Sequence, residues 1–314
     1  MPAIDMSVWQ GRIDPAEGAL ARRWHQVIHA LADDADASAV VLIGFACDAG
    51  VARNQARTGA AAGPAAIRHM LRNIPVHECD RLVDAGDIVC ADDQLEVAQV
   101  DLSKCVAGQL AAGRFPIVLG GGHEMAFGTF TGLATHLAKQ QNVPRMGIVN
   151  FDAHFDLRQA DRGNSGTPFL QIARDCEARG WPFRYGCFGI SRYSNTEALF
   201  ERAGKLGVVF VLDEQMQSAQ KTLTAFLAEV DHVYLTFCLD VLTASIAPGV
   251  SAPAVRGIGL DIVEPLIDLV IGSGKLRLAD IAEMNPNFDI DHRTAAVAAR
   301  IVARIANGVA RGLG

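Results

Sequence analysis

The stretch RMGIVNFDAHFDLR, residues 145–158, joins an apolar run to three metal-ligand-type side chains. Residues 145–151 are apolar and β-branched enough to form a buried strand. Asp152, His154 and Asp156 then follow at every second position. Because side chains at i, i+2 and i+4 of a strand line one face, we expect the three groups to leave the strand end together and to point at one place.

Two adjacent carboxylates repel one another and lose hydration unless a cation lies between them. A metal site is therefore the simplest explanation of this Asp-x-His-x-Asp pattern. The structural alternative is that aspartate is common at strand ends, where it caps a turn or the next helix. A lone Asp-x-His would favour that alternative, whereas three such groups after an apolar strand favour the metal.

The rest of the chain alternates short apolar runs with longer amphipathic ones. The apolar runs predict strands at 39–46, 115–119, 145–151, 184–190, 207–212, 232–239 and 276–283. The amphipathic runs predict helices at 17–32, 63–72, 94–112, 124–139, 168–179, 214–230, 260–272 and 293–311. This alternation indicates a parallel α/β sheet covered on both faces. The chain contains no repeat and no obvious linker, which predicts a single domain over residues 1–314.

Ligand-type or catalytic-type groups follow four of the predicted strands. They are His123 in GGGHE, the three groups of the opening stretch, Asp240 in CLDVL and Glu283 in EMNPNFD. Ligands of open α/β sheets bind at the C-terminal ends of the strands. GGGHE lacks the residue order of a phosphate-binding loop, so we expect its glycines to let the backbone approach the site closely.

The bulk composition excludes several partners. The 314 residues are 50% hydrophobic and 20% charged, which is typical of a soluble globular protein, and the net charge is −7. Lysine and arginine are scattered, so neither a nucleic acid nor an acidic membrane surface is an expected partner. The longest apolar runs are too short to span a membrane, and no signal peptide is recognisable. Seven irregularly spaced cysteines without a C-x-x-C motif favour reduced thiols and a cytoplasmic location.

The candidate ligands also indicate the chemistry. Carboxylates and imidazoles favour a hard or borderline divalent ion such as Mn²⁺, and the set is large enough for two ions. A two-metal site can generate hydroxide from water near neutral pH and stabilise a tetrahedral intermediate. The serine-hydrolase motif G-x-S-x-G does not occur in the chain. We therefore expect metal-dependent hydrolysis of a small molecule.

Together these motifs resemble the ureohydrolase family, which includes arginases, agmatinases and formimidoylglutamases. The matching stretches are RTGAAAGPAAIR (57–68), GGGHE (120–124), NFDAHFD (150–156), CLDVLTASIAPGVSAPA (238–254) and EMNPNFD (283–289). The resemblance implies a three-layer α/β/α fold with an eight-stranded, mostly parallel sheet. It also implies two Mn²⁺ ions per subunit, a homo-oligomer, and hydrolysis of C–N bonds in guanidino, amidino or formimino groups.

Site roles follow from the resemblance position by position. The implied metal ligands are His123, Asp152, His154, Asp156 and Asp240. Asp156 is also implied as a catalytic group that steadies the nucleophile and passes its proton to the leaving nitrogen. Glu283 matches the acid that contacts the cationic, amidine-like group of the substrate, whose paired N–H donors suit a carboxylate.

Departures from the arginase pattern resemble the formimidoylglutamase branch. Arginases have asparagine two residues after the last acid of Asp-Ala-His-x-Asp, where this chain has Arg158, and a histidine after the next Ser-Gly, where it has Thr167 and Pro168. Asn164 precedes that Ser-Gly and is a further candidate for substrate binding. WQGRID (9–14), SGTPF (165–169) and GISRYSNT (189–196) also match this branch.

That branch implies hydrolysis of N-formimidoyl-L-glutamate to L-glutamate and formamide, a step of histidine breakdown. The substrate carries two carboxylates, for which Arg158 and Arg192 are the candidates. The alternative for each arginine is an ordinary surface ion pair. The alternative for the reaction is hydrolysis of a related guanidino acid, which would use the same arginines.

Cys238 departs from the family pattern. The family has two aspartates here as Asp-x-Asp, the first bridging both ions, whereas this chain reads TFCLDVL, with Cys238 first and Asp240 second. A soft thiol in place of a carboxylate should weaken binding of hard Mn²⁺, although a thiolate could bridge softer ions. Alternatively, Cys238 is a buried residue that does not ligate metal. A weakly active or non-catalytic family member is therefore a second possible outcome.

Overall fold

A computed structural model of the chain describes residues 5–32 and 35–312. The strands in this part of the chain are β1 Ile28–Ala30, β2 Val40–Ala46, β3 Leu82–Val89, β4 Phe115–Leu119, β5 Met146–Phe151, β6 Tyr185–Ile190, β7 Val209–Leu212, β8 His232–Cys238 and β9 Leu276–Ala282. The α-helices are α1 Ala49–Arg53, α2 Gly63–Leu71, α3 Leu95–Ala111, α4 Met125–Leu137, α5 Pro168–Arg179, α6 Glu197–Lys205, α7 Ala219–Ala228, α8 Leu260–Gly272 and α9 Arg293–Gly312.

The strands form one parallel sheet in the order β1-β3-β2-β4-β9-β8-β5-β6-β7. Buried side chains of α2, α7, α8 and α9 pack on one face. Buried side chains of α3, α4, α5 and α6 pack on the other. The three-layer α/β/α architecture is therefore confirmed. The described residues contain nine strands, one more than the eight that the resemblance implied.

The seven predicted strands all occur, with ends within two residues of the prediction. The predicted helix 17–32 is wrong. Gly18, with a φ of 61°, interrupts a 3₁₀ segment at Pro15–Ala21, and a 3₁₀ turn at Trp24–Gln26 leads into the short strand β1. Trp24, Val27 and Ile28 are buried near the edge of the sheet, where β1 pairs with β3, whereas Leu20 is exposed; this pairing replaces helix formation.

Three further elements escaped prediction: β3, α1 and α6. The strand β3 reads LVDAGDIV, and its polar and glycine residues hide the apolar pattern of a strand. The predicted helix 214–230 begins instead as a 3₁₀ segment at Asp213–Ser218, and α7 follows. That residues 1–314 form one domain stays a prediction. Among the described helices, none is both long and apolar enough to cross a membrane.

A buried ion pair attaches the N-terminal region to the sheet. Asp84, in β3, accepts hydrogen bonds from Arg68 Nε and Nη2, each at 2.8 Å, and from Trp9 Nε1 at 2.8 Å. The side chains of Arg68 and Asp84 are 5% and 1% exposed. Asp84 and Asp87, which interrupt the apolar pattern of β3, thus neutralise a buried arginine of α2.

We expect Asp84→Ala to lower the free energy of unfolding by about 3–5 kcal/mol, because the substitution leaves the Arg68 guanidinium buried without a full counter-charge. Denaturant unfolding measures the change. Lys205→Ala is the matched control, since it breaks an exposed ion pair with Glu201; that change should stay within about 1 kcal/mol. Equal effects of the two substitutions would contradict this account of the buried pair.

Candidate metal centre

The topology of the sheet brings the four predicted groups to one edge. The strands β4, β9, β8 and β5 are consecutive neighbours, and the candidate residues follow the C-terminal end of each. The glycines after β4 make a close approach possible. A Cβ atom at Gly120 would lie 2.0 Å from the carbonyl oxygen of Ile281, and one at Gly121 would lie 2.1 Å from that of Cys47. The expected role of the triple glycine is therefore supported.

The side chains of Asp152, His154 and Asp156 converge, but not by sharing a strand face. The strand β5 ends at Phe151, and the three residues lie in the loop that follows. Within this loop, His154 N donates to Asp152 Oδ1 at 2.7 Å, and Asp156 has a left-handed φ of 48°. The turn, rather than strand alternation, directs the three side chains to one place.

The candidate ligands form two groups that share Asp152. His123 Nδ1 lies 3.0 Å from Asp152 Oδ2 and 3.0 Å from Asp156 Oδ2. His154 Nδ1 lies 3.1 Å from Asp240 Oδ2 and 3.5 Å from Asp152 Oδ1. Potential ligand atoms of His123, Asp152 and Cys238 lie within 4.8 Å of one another, as do those of Asp152, His154 and Asp240. This arrangement can accommodate two adjacent ions with one shared carboxylate.

The electrostatics of the cluster are dominated by buried acids. Burial and the neighbouring Asp152 raise the pKa of Asp156 to about 6, and they also raise the pKa of Asp240. Burial disfavours the charged forms of His123 and His154, but the adjacent carboxylates outweigh it and raise the pKa of both imidazoles. Burial would also raise the pKa of Asp152, but the adjacent imidazoles of His123 and His154 lower it. The buried carboxylates therefore favour the binding of a cation among them.

Two orphaned atoms test whether these residues fit a metal. His123 Nδ1 and Asp240 Oδ1 are buried and make no hydrogen bond with the described residues; Nδ1 lies 3.0 Å from two carboxylate oxygens, but not in hydrogen-bond geometry. Buried polar atoms are normally satisfied, and unsatisfied ones call for an explanation such as an ion. Both atoms can offer a lone pair to a cation, and imidazole and carboxylate suit a borderline or hard divalent ion. The donor set therefore fits divalent metal ions.

Cys238 ends β8 and is 1% exposed. Burial, followed by the charges of Asp152, Asp240 and Glu283, raises the pKa of its thiol well above the usual range. Its sulfur belongs to the group formed with His123 and Asp152. The Cys238 thiol therefore points into the site. Whether it ligates metal stays a prediction.

Glu283 lies beside the cluster, and its backbone is strained. It has a left-handed φ of 71°, and its Oε1 accepts a hydrogen bond from His123 N at 2.8 Å. Ser251 Oγ donates to the other carboxylate oxygen. Burial raises the pKa of Glu283 to about 7, with the hydrogen bond from Ser251 acting in the opposite direction. A cationic partner would favour the ionised carboxylate.

A cavity of about 180 Å³ opens onto these residues. Its polar lining comprises Asn54, His123, His154, Asp156, Arg158, Ser165, Ser194, Asn195, Cys238, Asp240, Ser251 and Glu283. Five of these, Asn54, Ser165, Ser194, Asn195 and Ser251, were not singled out from the sequence. Asn54 had no local signal, whereas the other four lie in stretches that carried the family resemblance.

The other three predicted substrate-binding residues lie in different surroundings. Arg158 lines the cavity, and its Nη1 donates to Asn54 Oδ1 at 3.5 Å. The guanidinium of Arg192 instead packs 5.7 Å from the ring centroid of Phe200. Asn164 is 7% exposed, and its Oδ1 accepts from Gly166 N at 2.9 Å, so its side chain shapes the loop. The structure thus brings only Arg158 of the three to the cavity wall.

Comparison with known proteins gives one family. The model of the arginase family matches residues 38–307. A formimidoylglutamase of Ralstonia nicotianae is 60% identical over 314 residues, which cover 98% of this chain and 96% of that protein. A formimidoylglutamase of Aeromonas hydrophila is 52% identical over 309 residues, 96% of this chain and 98% of that protein.

A solved structure has the same arrangement of the chain. The crystal structure of Trypanosoma cruzi formiminoglutamase with Mn²⁺ superposes with a TM-score of 0.80 at 26% identity, and the match covers 89% of this chain and 96% of that one. The family match extends over most of the chain, including the ends of β4, β5, β8 and β9 that carry the candidate ligands. The chain therefore belongs to the arginase family.

Proposed function

We propose that this chain is a formimidoylglutamase, which hydrolyses N-formimidoyl-L-glutamate to L-glutamate and formamide in histidine degradation. One observation carries the proposal: a single cavity has an acidic cluster on one side and Arg158 in its wall. The substrate has a cationic formimino group at one end and carboxylates at the other, which complements this division of charge. Relatives that carry this name are similar over almost the whole chain.

Two Mn²⁺ ions are the cofactors in this proposal. The side chains that would hold them are His123, Asp152, His154, Asp156, Cys238 and Asp240. Three observations support this assignment: two buried ligand atoms lack a hydrogen-bond partner, Asp152 is shared by both groups, and the Trypanosoma cruzi structure contains Mn²⁺. When bound, such a pair of ions makes water a competent nucleophile near neutral pH and stabilises developing negative charge.

The chain's own residues would divide the remaining work. Asp156, with a pKa of about 6, is suited to take a proton on a carboxylate oxygen and to deliver it to the leaving nitrogen. Glu283 would orient the substrate by accepting N–H donors of the formimino group, since its two oxygens retain acceptor capacity beyond their present bonds. Arg158 would bind a substrate carboxylate through its paired N–H groups.

Arg192 and Asn164 have indirect support. Arg192 belongs to the loop that also carries Ser194 and Asn195, both of which line the cavity. Asn164 shapes the turn that places Ser165 in the lining, and Ser165 Oγ accepts a hydrogen bond from Asn54 Nδ2 at 3.0 Å. In the proposal, both therefore contribute to substrate binding through the loops they belong to.

Two broader features complete the proposal. The seven cysteines carry free thiols, which supports a reducing, cytoplasmic location. A homo-oligomer rests on the family resemblance alone. A small-molecule substrate follows from the size of the cavity and from the enzyme family.

Two alternatives follow from specific residues. A guanidino acid would offer the same cationic group and carboxylate, so Arg158 and Glu283 do not distinguish it from the formimino substrate. A weakly active or non-catalytic protein would follow from Cys238, because a thiol with a raised pKa is a poor ligand for Mn²⁺. The experiments below separate both alternatives from the proposed reaction.

The purified chain, reconstituted with Mn²⁺, is expected to release formamide and L-glutamate from N-formimidoyl-L-glutamate and to release no urea from guanidino acids. Chromatographic quantification of the three products tests the proposal.

Asp152→Ala should lose both bound metal and turnover, because Asp152 belongs to both ligand groups. Urea as the main product would support the guanidino-acid alternative, and full metal occupancy in Asp152→Ala would contradict the proposed centre.

Arg158→Ala is expected to raise KM for N-formimidoyl-L-glutamate roughly 30-fold without changing metal content. Loss of a charged hydrogen-bonding contact corresponds to about 2 kcal/mol of binding free energy. Steady-state kinetics and metal analysis provide the measurement. Arg192→Ala is the matched control, since its guanidinium packs on Phe200, and its KM should change less. An unchanged KM in Arg158→Ala would show that this arginine does not bind the substrate.

Cys238→Asp is expected to raise manganese occupancy and turnover together, because it replaces a soft thiol by a hard carboxylate. Metal content per chain and kcat are the two measurements. Cys238→Ser is the matched control, since it removes the sulfur without adding a carboxylate, and neither quantity should rise. If Cys238→Asp binds no more manganese and turns over no faster, the thiol is not a defect of the site.

A further inference from the structure

A row of buried polar side chains lies directly behind the metal centre. Tyr234, Thr236 and Cys238 alternate along β8 and share its face, and Thr236 lies opposite Asp280 of β9 in the strand register. Tyr234, Thr236 and Asp280 are fully buried, at 0% exposure. A carboxylate in such surroundings is costly unless hydrogen-bonded, which calls for a functional explanation.

The row touches the centre at His123. Its Nε2 lies 2.9 Å from Thr236 Oγ1, while its Nδ1 faces Asp152 and Asp156 at 3.0 Å each. A neutral imidazole has one donor nitrogen and one acceptor nitrogen, and the partner of one decides the role of the other. The direction of the Thr236 hydroxyl therefore decides which nitrogen of His123 can ligate metal.

Asp280, which lies opposite Thr236 in the strand register, offers an acceptor for that hydroxyl hydrogen. Tyr234 OH donates to its Oδ2, while its Oδ1 is buried without a hydrogen-bond partner among the described residues. Burial raises the pKa of Asp280, and the charge of His123 and the hydroxyls of Thr236, Tyr234 and Thr129 oppose that rise. Thr129 Oγ1 already donates to Met125 O at 3.2 Å. Thr236 faces Asp280 across the β8–β9 pair, so we assign its hydroxyl as the donor to the unpartnered Oδ1.

We propose that Asp280 is a positioning residue for the metal centre, acting through Thr236 on His123. Thr236 gives its hydroxyl hydrogen to Asp280 and accepts the Nε2–H of His123. The lone pair on Nδ1 then faces the carboxylates of Asp152 and Asp156, where metal binding requires it. This inference rests on the proposed metal centre, because it assigns the orientation of one of its ligands.

The test compares Mn²⁺ affinity in hydroxyl-deleting and hydroxyl-keeping variants. Thr236→Val keeps the shape of the side chain and should weaken the Kd for Mn²⁺ by about 10- to 100-fold, the usual effect of removing a partner of a metal ligand. Thr236→Ser should bind Mn²⁺ like the wild type. Free Mn²⁺ measured by electron paramagnetic resonance during titration gives each Kd, and circular dichroism verifies folding.

Two further variants test the route through Asp280. Asp280→Asn should also weaken Mn²⁺ binding, and it should add little in the Thr236→Val background, because both act along one chain of hydrogen bonds. Thr129→Val is the control: its hydroxyl is near Asp280 but donates to Met125 O, and it should leave the Kd unchanged.

The outcomes separate this inference from the proposed function. A wild-type chain that binds Mn²⁺ while Thr236→Val binds it equally well would overturn the role of Asp280 and leave the centre intact. Thr236→Ser binding as weakly as Thr236→Val would have the same meaning. A folded wild-type chain that binds no Mn²⁺ would overturn the metal centre and this inference with it.

Discussion

Repulsion among buried carboxylates is the constraint on which the rest of the site depends. Asp156, Asp240 and Glu283 line one cavity, and all three have raised pKa values, with burial as the largest cause; Asp152 is buried beside them. Within the described residues, the imidazoles of His123 and His154 lie next to the three aspartates and partly offset their charge. Such a concentration of acids favours divalent cations, and the geometry that keeps the acids together accordingly serves binding more than stability.

The order of the strands makes this concentration possible. The strands β4, β9, β8 and β5 come from distant parts of the chain, yet they are neighbours in the sheet. Parallel strands end at the same edge, so each contributes its polar residues to one place. Helices on both faces bury the apolar sides of these strands. The polar site residues therefore lie at the strand ends, whereas the apolar residues that stabilise the fold lie on the faces of the sheet.

Much of the fold and of the ligand set could be predicted from the sequence, because both depend on local patterns. Apolar runs located seven strands, and the residues after them located the acids and histidines. Strand alternation was assigned to the wrong segment: it does not continue through residues 152–156, but it does align Tyr234, Thr236 and Cys238 along β8. The features that escaped prediction depend on contacts between separate elements, as in β3, whose Asp84 pairs with Arg68 of α2, and at Arg192, which packs on Phe200 of α6.

The left-handed backbone at Asp156 and Glu283 limits how this protein can be made more robust. Each such residue stores on the order of 1 kcal/mol of conformational strain, which glycine would relieve. Glycine would also remove the carboxylate on which the proposed chemistry depends. These two positions are therefore closed to the usual routes of thermostabilisation, and adaptation to heat must draw on surface ion pairs and loops elsewhere. At these two positions, relieving the backbone strain would remove a carboxylate that the proposed activity requires.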